Sequence, residues 1–403
     1  MSMAFAATMP PIWPIRPDWA YGVQESLAWR TEVLRASATA VTNHRSLRLT
    51  PRRSFAFRVL AGAQAKRVAA MLLDGNAGPW LLPIWTDIER LPSPVPAGEL
   101  QLPCDTAGCD FVAGGRALLY TDATRWTVLD IDQVMPDHLQ LAAATPAPAA
   151  AAGTRLYPLR RALLNASAEE THRSDNVSRR ALAFDIAEAC DWPGLAALEM
   201  YRGHPVLTVR PDESSDPVSA HERQVAVVDY GTALPFVHDL SGISLRSQRS
   251  YWKLAGRPRH TWFRSLAYTL SGRCTPMWVP SWSADLQPVG AAAAAGLNLV
   301  VEWAGYTLYG FGRPNRADLR IELRNGTVLY RRVVAASAAG NTETLVLDQP
   351  VAGGALAAAQ IRMVSFLALC TLASDEVEID HLADARGVAK ATLSWQAVVP
   401  DGP

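Results

Sequence analysis

The spacing of apolar and polar residues along the chain predicts short strands with few helices. Strands are predicted first at Leu27–Leu34 and Leu47–Leu60. A helix with its apolar residues on one stripe is predicted at Gly62–Leu73, and Gly75 stands where a left-handed residue would end it. We therefore expect a strand–strand–helix order near the N terminus.

The same order of elements returns about two hundred residues later. A strand is predicted at Gln224–Tyr230, where apolar residues alternate, and a helix at Pro258–Leu270, followed by Gly272. Further on, alternating residues flank Asn325-Gly326, a pair that is typical of a two-residue type I′ turn. This predicts a hairpin over Asp318–Val333.

An internal repeat explains the recurrence. Residues 52–86 align without gaps on residues 249–283, and eight of the thirty-five positions are identical. Average residue usage would give roughly two or three such matches by chance. The identical pairs are Arg52 with Arg249, Arg67 with Arg264, Ala70 with Ala267, Leu73 with Leu270, Gly75 with Gly272, Pro79 with Pro276, Pro83 with Pro280 and Trp85 with Trp282.

The repeat predicts the domain organisation. Weaker matches extend it in both directions, so the first unit spans 13–190 and the second spans 205–398, with a linker at 191–204. Short predicted strands inside each unit indicate a small β insert, at about 98–154 in the first unit and about 312–360 in the second.

The Pro-x-x-x-Pro-x-Trp segments supply the first candidate interface residues. Proline lacks a backbone donor, so Pro83 and Pro280 favour an edge strand or extended arm that holds Trp85 and Trp282 on a stiff segment. Each tryptophan could fill the core of its own unit or a pocket on a neighbouring subunit.

Basic residues supply the second group of candidates. They cluster around Arg52 in the first copy and around Arg249 in the second. Ordinary surface charge, ion pairing between subunits, and the lining of a DNA conduit are all compatible with this pattern. The six candidate packing or interface residues are Trp85, Trp282, Pro83, Pro280, Arg52 and Arg249.

Composition bears on whether nucleic acid, a metal ion or a membrane is an expected partner. Lys plus Arg and Asp plus Glu both number 38, so no excess of positive charge indicates nucleic acid as the main partner. Five scattered cysteines favour free thiols in a reducing compartment, although Cys104 and Cys109 could form a local disulfide or half of a metal site. The longest weakly apolar stretch, Val289–Val301, is too short to span a bilayer.

Motifs for chemistry are missing from the sequence. It contains no nucleophile elbow, zinc-protease motif, phosphate loop or dinucleotide fingerprint, and its eight histidines are dispersed. The acidic stretch Asp375–Asp380 lacks the loop pattern of a calcium site. We therefore predict no catalytic, cofactor-binding or metal-binding residues, no cofactor and no enzymatic activity.

Several strings carry a resemblance to a known family. The string RRSFAFRV at 52–59 followed by PWLLPIWTD at 79–87, the segment 249–282, and the C-terminal RMVSFLALCTLASDEVEIDHLADARGVAKATLSWQAV resemble distal-tail and baseplate-hub proteins of siphovirus-type phages. The resemblance implies a mainly β fold with α+β elements: two tandem tail-tube-like β-sandwich units, each with one helix and a small inserted β-barrel or sandwich domain. A typical distal-tail protein has one such unit, whereas this chain has two.

The resemblance also implies a function. We expect a structural virion protein of the phage tail tip or baseplate, assembled in the host bacterial cytoplasm, that forms a ring joining the tail tube to the distal tip. Three chains with two units each would make a pseudo-hexameric homotrimer, and a homohexamer is the other possibility. The expected partners are further copies of the chain and other tail proteins, namely tube, tape-measure and tip or fibre proteins, with DNA passing only transiently through the lumen. A receptor- or carbohydrate-binding tail module is the alternative, and a β-rich hydrolase with an unrecognised site is the third hypothesis.

Overall fold

The computed structural model describes residues 9–36, 41–76, 78–165, 168–212, 216–292, 296–351 and 356–399. The protein is mainly β, as predicted, with antiparallel strands and few helices. The elements of the first half are β1 (Val23–Ala28), β2 (Thr31–Arg35), β3 (Thr42–Ser46), β4 (Arg52–Gly62), α1 (Ala63–Gly75), β5 (Trp80–Pro83), β6 (Glu89–Arg90), β7 (Gln101–Pro103), β8 (Arg116–Asp122), β9 (Arg125–Val134), β10 (His138–Leu141), β11 (Arg155–Leu164), β12 (Glu170–His172) and β13 (Val177–Ile186).

Besides its one long helix, the described part of the second half contains two short helical turns. Its elements are β14 (Met200–Tyr201), β15 (His204–Pro205), β16 (Val218–Val228), β17 (Phe236–Ala255), α2 (Gly256–Leu270), β18 (Met277–Pro280), β19 (Ala291–Ala292), β20 (Asn298–Glu302), a π turn (Tyr306–Gly310), β21 (Asp318–Leu323), β22 (Val328–Ala339), β23 (Thr342–Leu347), β24 (Leu356–Ala357), a 3-10 turn (Ala358–Gln360), β25 (Ile361–Leu372), β26 (Glu376–His381) and β27 (Val388–Ala397). Among these described elements, no helix is long and apolar enough to cross a membrane.

The strands of the first half pair in a definite order. Strand β4 lies between β1 and β13, β13 pairs with β11, and β11 also pairs with β5 and β8. Strand β8 continues through β9 and β10 to β7, which builds the small insert. The proline-rich strand β5 pairs with β11 on one side, and on the other it meets the N-terminal segment through a parallel bridge from Ile12 to Leu81.

The second half repeats this order. Strand β17 lies between β16 and β27, β27 pairs with β25, and β25 also pairs with β18 and β21. Strand β21 continues through β22 and β23 to β20. A parallel bridge from Val206 to Trp278 on β18 matches the bridge from Ile12 to Leu81. Each half thus has one long strand, one helix, one proline-ended strand and one four-stranded extension in the same sequence of pairings.

Each half encloses its own apolar clusters. Phe55, Trp85 and Phe184 belong to the main cluster of the first half, and Phe263, Trp282 and Trp395 to that of the second. Separate clusters fill the two inserts. Burial of these large aromatic side chains supplies most of the driving force for folding each half, because each removes a large apolar area from water.

The strand predicted at Leu27–Leu34 is interrupted. Strand β1 ends at Ala28 and β2 begins at Thr31, because the Trp29 side chain turns into the main cluster of the second half. There its ring packs edge-on against Tyr268, with 5.5 Å between ring centroids. Periodicity within one segment could not reveal a residue that fills the core of the other half.

The predicted end of helix α1 is wrong, whereas that of α2 is correct. Gly75 is the last residue of α1 and is followed by Asn76 in an extended conformation, with φ of −138°. Helix α2 ends at Leu270, and Ser271 and Gly272 take positive φ values of 51° and 67°. The helix starts at Gly256, two residues before the predicted proline.

Two strand predictions in the second half also change. The turn at Asn325-Gly326 is not type I′, because only Gly326 has positive φ and the loop between β21 and β22 contains four residues. Strand β16 lies earlier than predicted, and the side chains of Val225, Val227 and Val228 are exposed rather than half-buried. The alternation there marks a hairpin arm that extends away from the core of its own half.

The predicted linker at 191–204 is packed against α2. The Trp192 indole nitrogen donates to the Ser265 hydroxyl at 3.1 Å, and the Leu195 amide donates to the Thr269 hydroxyl at 2.9 Å. This segment therefore fixes the position of the helix as well as connecting the halves.

Replacing Gly272 with Ala is expected to destabilise the protein by about 1–3 kcal/mol. Its φ is +67°, and an added Cβ would lie 2.6 Å from the Asp375 carboxylate and 2.9 Å from the Trp29 Cβ. The matched change Gly75→Ala, at a helical residue with open space around it, should be neutral or slightly stabilising. Urea unfolding of both variants checks this, and equal effects would contradict the structural difference between the two helix ends.

Candidate functional site

The most unusual site in the molecule is the joint between the two halves. Strand β1 pairs with β4 on one edge and with β26 of the second half on the other, in a register that opposes Val23 to His381 and Ala28 to Glu376. The strands therefore form one sheet that runs from the first half into the second. Alternation along β1 turns Val23, Glu25 and Leu27 toward the interior.

Glu25 lies at the centre of this joint and is completely buried. One carboxylate oxygen accepts a hydrogen bond from Arg53 Nε at 2.7 Å, and the other accepts one from His381 Nε2 at 2.8 Å. Arg264 Nη2 lies 3.5 Å from the same oxygen as His381. Burial alone would raise the pKa of Glu25, but the charges of Arg53 and Arg264 and the His381 hydrogen bond hold it well below its usual range.

Helix α2 adds a second ion pair across the joint. Arg264 donates to both oxygens of Asp87, at 2.9 and 3.1 Å, and its guanidinium lies 4.5 Å from the centroid of the Trp192 ring. Both charged side chains are buried. Burial would raise the pKa of Asp87, and the adjacent Arg264 charge lowers it below the ordinary value. Such two-point pairing fixes direction as well as distance.

Glu89 of the first half makes two further ion pairs across the joint. Arg257, at the start of α2, donates to one Glu89 oxygen and also to the Ile88 carbonyl at 2.7 Å. Arg386, in the loop between β26 and β27, donates to the other Glu89 oxygen at 2.6 Å. Two arginines of the second half thus hold one buried carboxylate of the first.

A further carboxylate, Asp110, extends the network inside the first half. It accepts a hydrogen bond from Arg160 Nε at 3.0 Å and another from Arg53 Nη1. Arg53 therefore bridges Glu25 and Asp110, and burial of this arginine, which would lower its pKa, is outweighed by those two charges, which raise it. The network is continuous from the first insert to the sheet junction.

The signs of charge are divided between the halves. Across the joint, the carboxylates come from the first half, and the arginines and the histidine come from the second. Backbone contacts reinforce the joint: the Asp375 carboxylate of the second half accepts the Thr31 amide at 2.8 Å, and Arg273 donates to the Thr31 carbonyl at 3.2 Å. These ion pairs and hydrogen bonds hold the facing surfaces of the two halves in one register.

His260 lies beside this network in a neutral environment. Its Nε2 donates to the Leu254 carbonyl at 3.1 Å, and its ring centroid is 5.5 Å from that of His381. Burial, and then the neighbouring His381, lower the pKa of His260 to about 4. The ring therefore remains uncharged near neutral pH, which avoids repulsion with the nearby Arg264 guanidinium.

The six residues predicted from the sequence do not assemble into one site. Trp85 packs against Tyr120 and Tyr157, with 5.6 and 4.9 Å between ring centroids, so it lies in the core of its own half. Trp282 is buried in the core of the second half beneath the Arg320 guanidinium. Pro83 and Pro280 are buried ends of β5 and β18.

Arg52 and Arg249 are exposed. Arg52 begins β4 opposite Ala28 of β1, and Arg249 is the last residue of β17 that pairs with β16, opposite Val218. The ion pairs are made instead by neighbouring members of the two basic clusters, Arg53, Arg257 and Arg264. The hypothesis for those clusters was ion pairing between subunits, whereas the pairs seen here lie within one chain.

The joint residues were missed by sequence reasoning. Glu25 shares its strand face with Val23 and Leu27, which is the one signal that an acidic side chain points inward. Asp87 and Glu89 follow the repeated Pro/Trp segment, and Arg264 was visible only as one of the identical repeat positions. Nothing local in the sequence pairs these groups across the joint, because the partners that they meet in the second half lie 168 or more residues away.

The remaining reactive groups have simple environments. All five cysteines are free, and burial raises the pKa of the Cys104 thiol to about 12. Glu376, Glu378 and Asp380 are exposed on one face of β26, as the alternation predicts, and Ser26 donates to Glu376 at 2.6 Å. Within the ranges that the structure describes, no three His, Cys, Asp or Glu side chains are grouped to hold a metal ion.

Compared with family models and with curated proteins, the chain matches none of them.

Replacing Arg264 with Met is expected to lower the free energy of unfolding by about 3–5 kcal/mol, because it leaves the buried carboxylate of Asp87 without its arginine and removes one of the three partners of Glu25. Replacing Arg116, whose pair with Asp130 is exposed, with Met should change it by less than about 1 kcal/mol. Chemical denaturation of the two variants checks the difference. A loss for Arg264→Met no larger than that for Arg116→Met would mean that the network contributes little to holding the halves together.

Proposed function

We propose that the protein is a structural component of a bacteriophage tail tip or baseplate, where it forms a ring that joins the tail tube to the distal tip. The observation that carries the proposal is the joint itself. Two halves with the same order of strand pairings meet edge to edge through β1 and β26, and the contact is head to tail, because different strands meet. A head-to-tail contact builds a ring when the rotation that repeats it closes, and the proposed function requires that it close here.

The free sheet edges support this arrangement. In the second half, β16 holds the place that β1 holds in the first, beside the long strand that leads into the helix. In the first half, β12 holds the place of β26, beside the last long strand. Among the described strands, β16 pairs only with β17 and β12 only with β13. Repeating the internal contact would bring β16 of one chain next to β12 of another.

The count of units favours a trimer. If the two halves are tandem copies of one unit, three chains present six units, so a threefold assembly offers a near-sixfold surface to a tube. A homohexamer would present twelve units. We therefore propose a pseudo-hexameric homotrimer, with tube, tape-measure and tip or fibre proteins as its neighbours.

The exposed face of the joined sheet suits a channel wall. Gln24, Ala56, Arg58, Asp380 and Lys390 line a shallow cavity of about 710 Å³ across the joint. Positive, negative and small side chains alternate there, so the surface has no concentrated positive charge to retain DNA. Passage of DNA without lasting attachment is consistent with such a wall.

Hairpin arms offer surfaces for other tail proteins. The arm formed by the ends of β16 and β17 exposes Val227, Tyr230, Leu234 and Phe236, with 59, 85, 94 and 65% of each residue accessible. The arm formed by β2 and β3 exposes Leu34. Apolar side chains of this size gain free energy when a partner covers them.

Native mass spectrometry of the purified chain is expected to show a trimer, and electron microscopy should show a closed ring with six similar lobes. Antibody labelling of phage particles should place the protein at the distal end of the tail. A hexamer would retain the tail assignment and exclude the trimer. A monomer that is absent from particles would exclude the proposed function.

The second candidate function is a receptor- or carbohydrate-binding module, and one observation favours it. Trp303, Tyr309 and Phe311, in the segment after β20, are 50, 74 and 44% exposed, and Trp126 in the first insert is 37% exposed. Exposed aromatic rings provide flat apolar faces of the kind that stack on sugars.

If this candidate is correct, Trp303→Ala and Trp126→Ala should reduce binding to host-cell glycans about tenfold, which corresponds to about 1.4 kcal/mol per ring. Glycan-array and cell-binding assays provide the measurement. The oligomeric state must be unchanged, and Leu100→Ala, another exposed position on the first insert, is the control. Absence of glycan binding by the wild-type protein would exclude this candidate.

A further inference from the structure

Helices α1 and α2 hold the same place in the two halves but differ in burial. Each follows the long strand, β4 or β17, and precedes the proline-ended strand, β5 or β18. Helix α2 buries seven residues, whereas α1 buries only Ala69. Since the strands beneath the helices pair in the same order, the difference arises from what covers their outer faces.

Matched positions show which face of α1 is uncovered. Arg264 is buried against Asp87, whereas its repeat partner Arg67 is exposed. The hydroxyl of Tyr268 donates to the Cys190 carbonyl at 2.7 Å, whereas its aligned residue Met71 is 74% exposed. The face of α2 that contacts the first half therefore corresponds to the free face of α1.

A loop of the first half covers the start of α2. Residues 104–115, between β7 and β8, bring Gly108 so close to the helix that an added Cβ would lie 2.2 Å from the Thr261 hydroxyl. Arg257 donates to the Asp105 carbonyl of this loop at 3.3 Å. Within the chain, the β7–β8 loop of one half thus packs on the helix of the next.

The corresponding loop of the second half has no helix to cover. Residues 303–317 connect β20 to β21, and β20 pairs with β23 as β7 pairs with β10. Its first part, Trp303–Phe311, is called the aromatic loop. It exposes Trp303, Leu308, Tyr309 and Phe311, which are 50, 67, 74 and 44% accessible. An exposed apolar group of this size is typical of an interaction surface.

The aromatic loop is held in a fixed shape. The carboxylate of Glu343, which is completely buried, accepts hydrogen bonds from the amides of Ala304, Tyr306 and Thr307 at 2.9, 3.0 and 2.7 Å. A rigid loop loses little conformational entropy when it binds. The exposed rings are therefore presented as a preformed surface.

The free face of α1 is available to accept the loop. Met71 is 74% exposed on this face, at the position where the aligned Tyr268 of α2 contacts the first half. The loop differs from its counterpart in the first half, since exposed aromatic rings stand where Asp105 makes a polar contact in the internal joint.

We propose that the aromatic loop Trp303–Phe311 of one chain packs on the exposed face of helix α1, around Met71, of a second copy of this chain. The inference rests on the proposed ring and names the surfaces that make its contacts between chains. The internal contact, with buried ion pairs, and the contact between chains, made by aromatic rings, then occupy equivalent positions around the ring.

Cysteine cross-linking tests the contact directly. The double variant Met71→Cys/Tyr309→Cys, oxidised as the intact assembly, should give covalent dimers and trimers on a non-reducing gel. Each single variant should remain a monomer under the same conditions. The wild-type chain, whose five cysteines are free, controls for background, and a Leu100→Cys/Met71→Cys pair controls for collision.

Charge substitution measures the contribution of the contact. Tyr309→Asp and Met71→Asp should each raise the dissociation constant of the assembly at least about tenfold, whereas Leu100→Asp should leave it unchanged. Circular dichroism confirms that each variant is folded.

A ring that forms without a cross-link would overturn this inference and leave the proposed function intact. The same holds for a ring in which the Tyr309→Cys variant reacts with maleimide as rapidly as in the free chain. A chain that is monomeric and absent from particles would overturn both.

Discussion

The structure depends on the burial of one carboxylate, that of Glu25. A charged group without water costs several kcal/mol unless it is paired, so Arg53, Arg264 and His381 must be in place whenever β1 is in place. These three partners come from the neighbouring strand, the helix of the second half and the strand across the joint. Satisfying one side chain therefore fixes the relative position of three elements from both halves.

The main features of the fold could be predicted because they are local. Alternating residues located the hairpin strands β21 and β22, and the spacing of apolar residues located both helices, since such patterns depend only on residues within one element. The prolines favoured an edge strand or extended arm, and β5 and β18 each pair with one described strand and otherwise meet only an isolated bridge. Predictions failed where a distant residue decides the conformation, as with Trp29, which leaves β1 to fill the core of the other half.

The candidate site was much less predictable. Repeat alignment paired Arg67 with Arg264 as if the two were equivalent, yet one is exposed and the other is buried against Asp87. Identity between aligned positions carries no information about burial, which depends on what lies opposite each residue. The six predicted residues are accordingly core or surface positions, and the groups that join the halves were identified only when strands far apart in sequence were seen in register.

The segment from Asp191 to Leu195 connects the halves covalently while it packs on α2. Because the joint is intramolecular, its two sides meet at an effective concentration set by this short connection, and dilution cannot separate them. A contact between free proteins must gain enough apolar burial to offset lost translational freedom. The joint has no such requirement, so it can consist largely of buried ions, which contribute modestly to affinity but strongly to register. Because the halves are covalently connected, the buried ion pairs can fix their register at a contact that needs little binding free energy of its own.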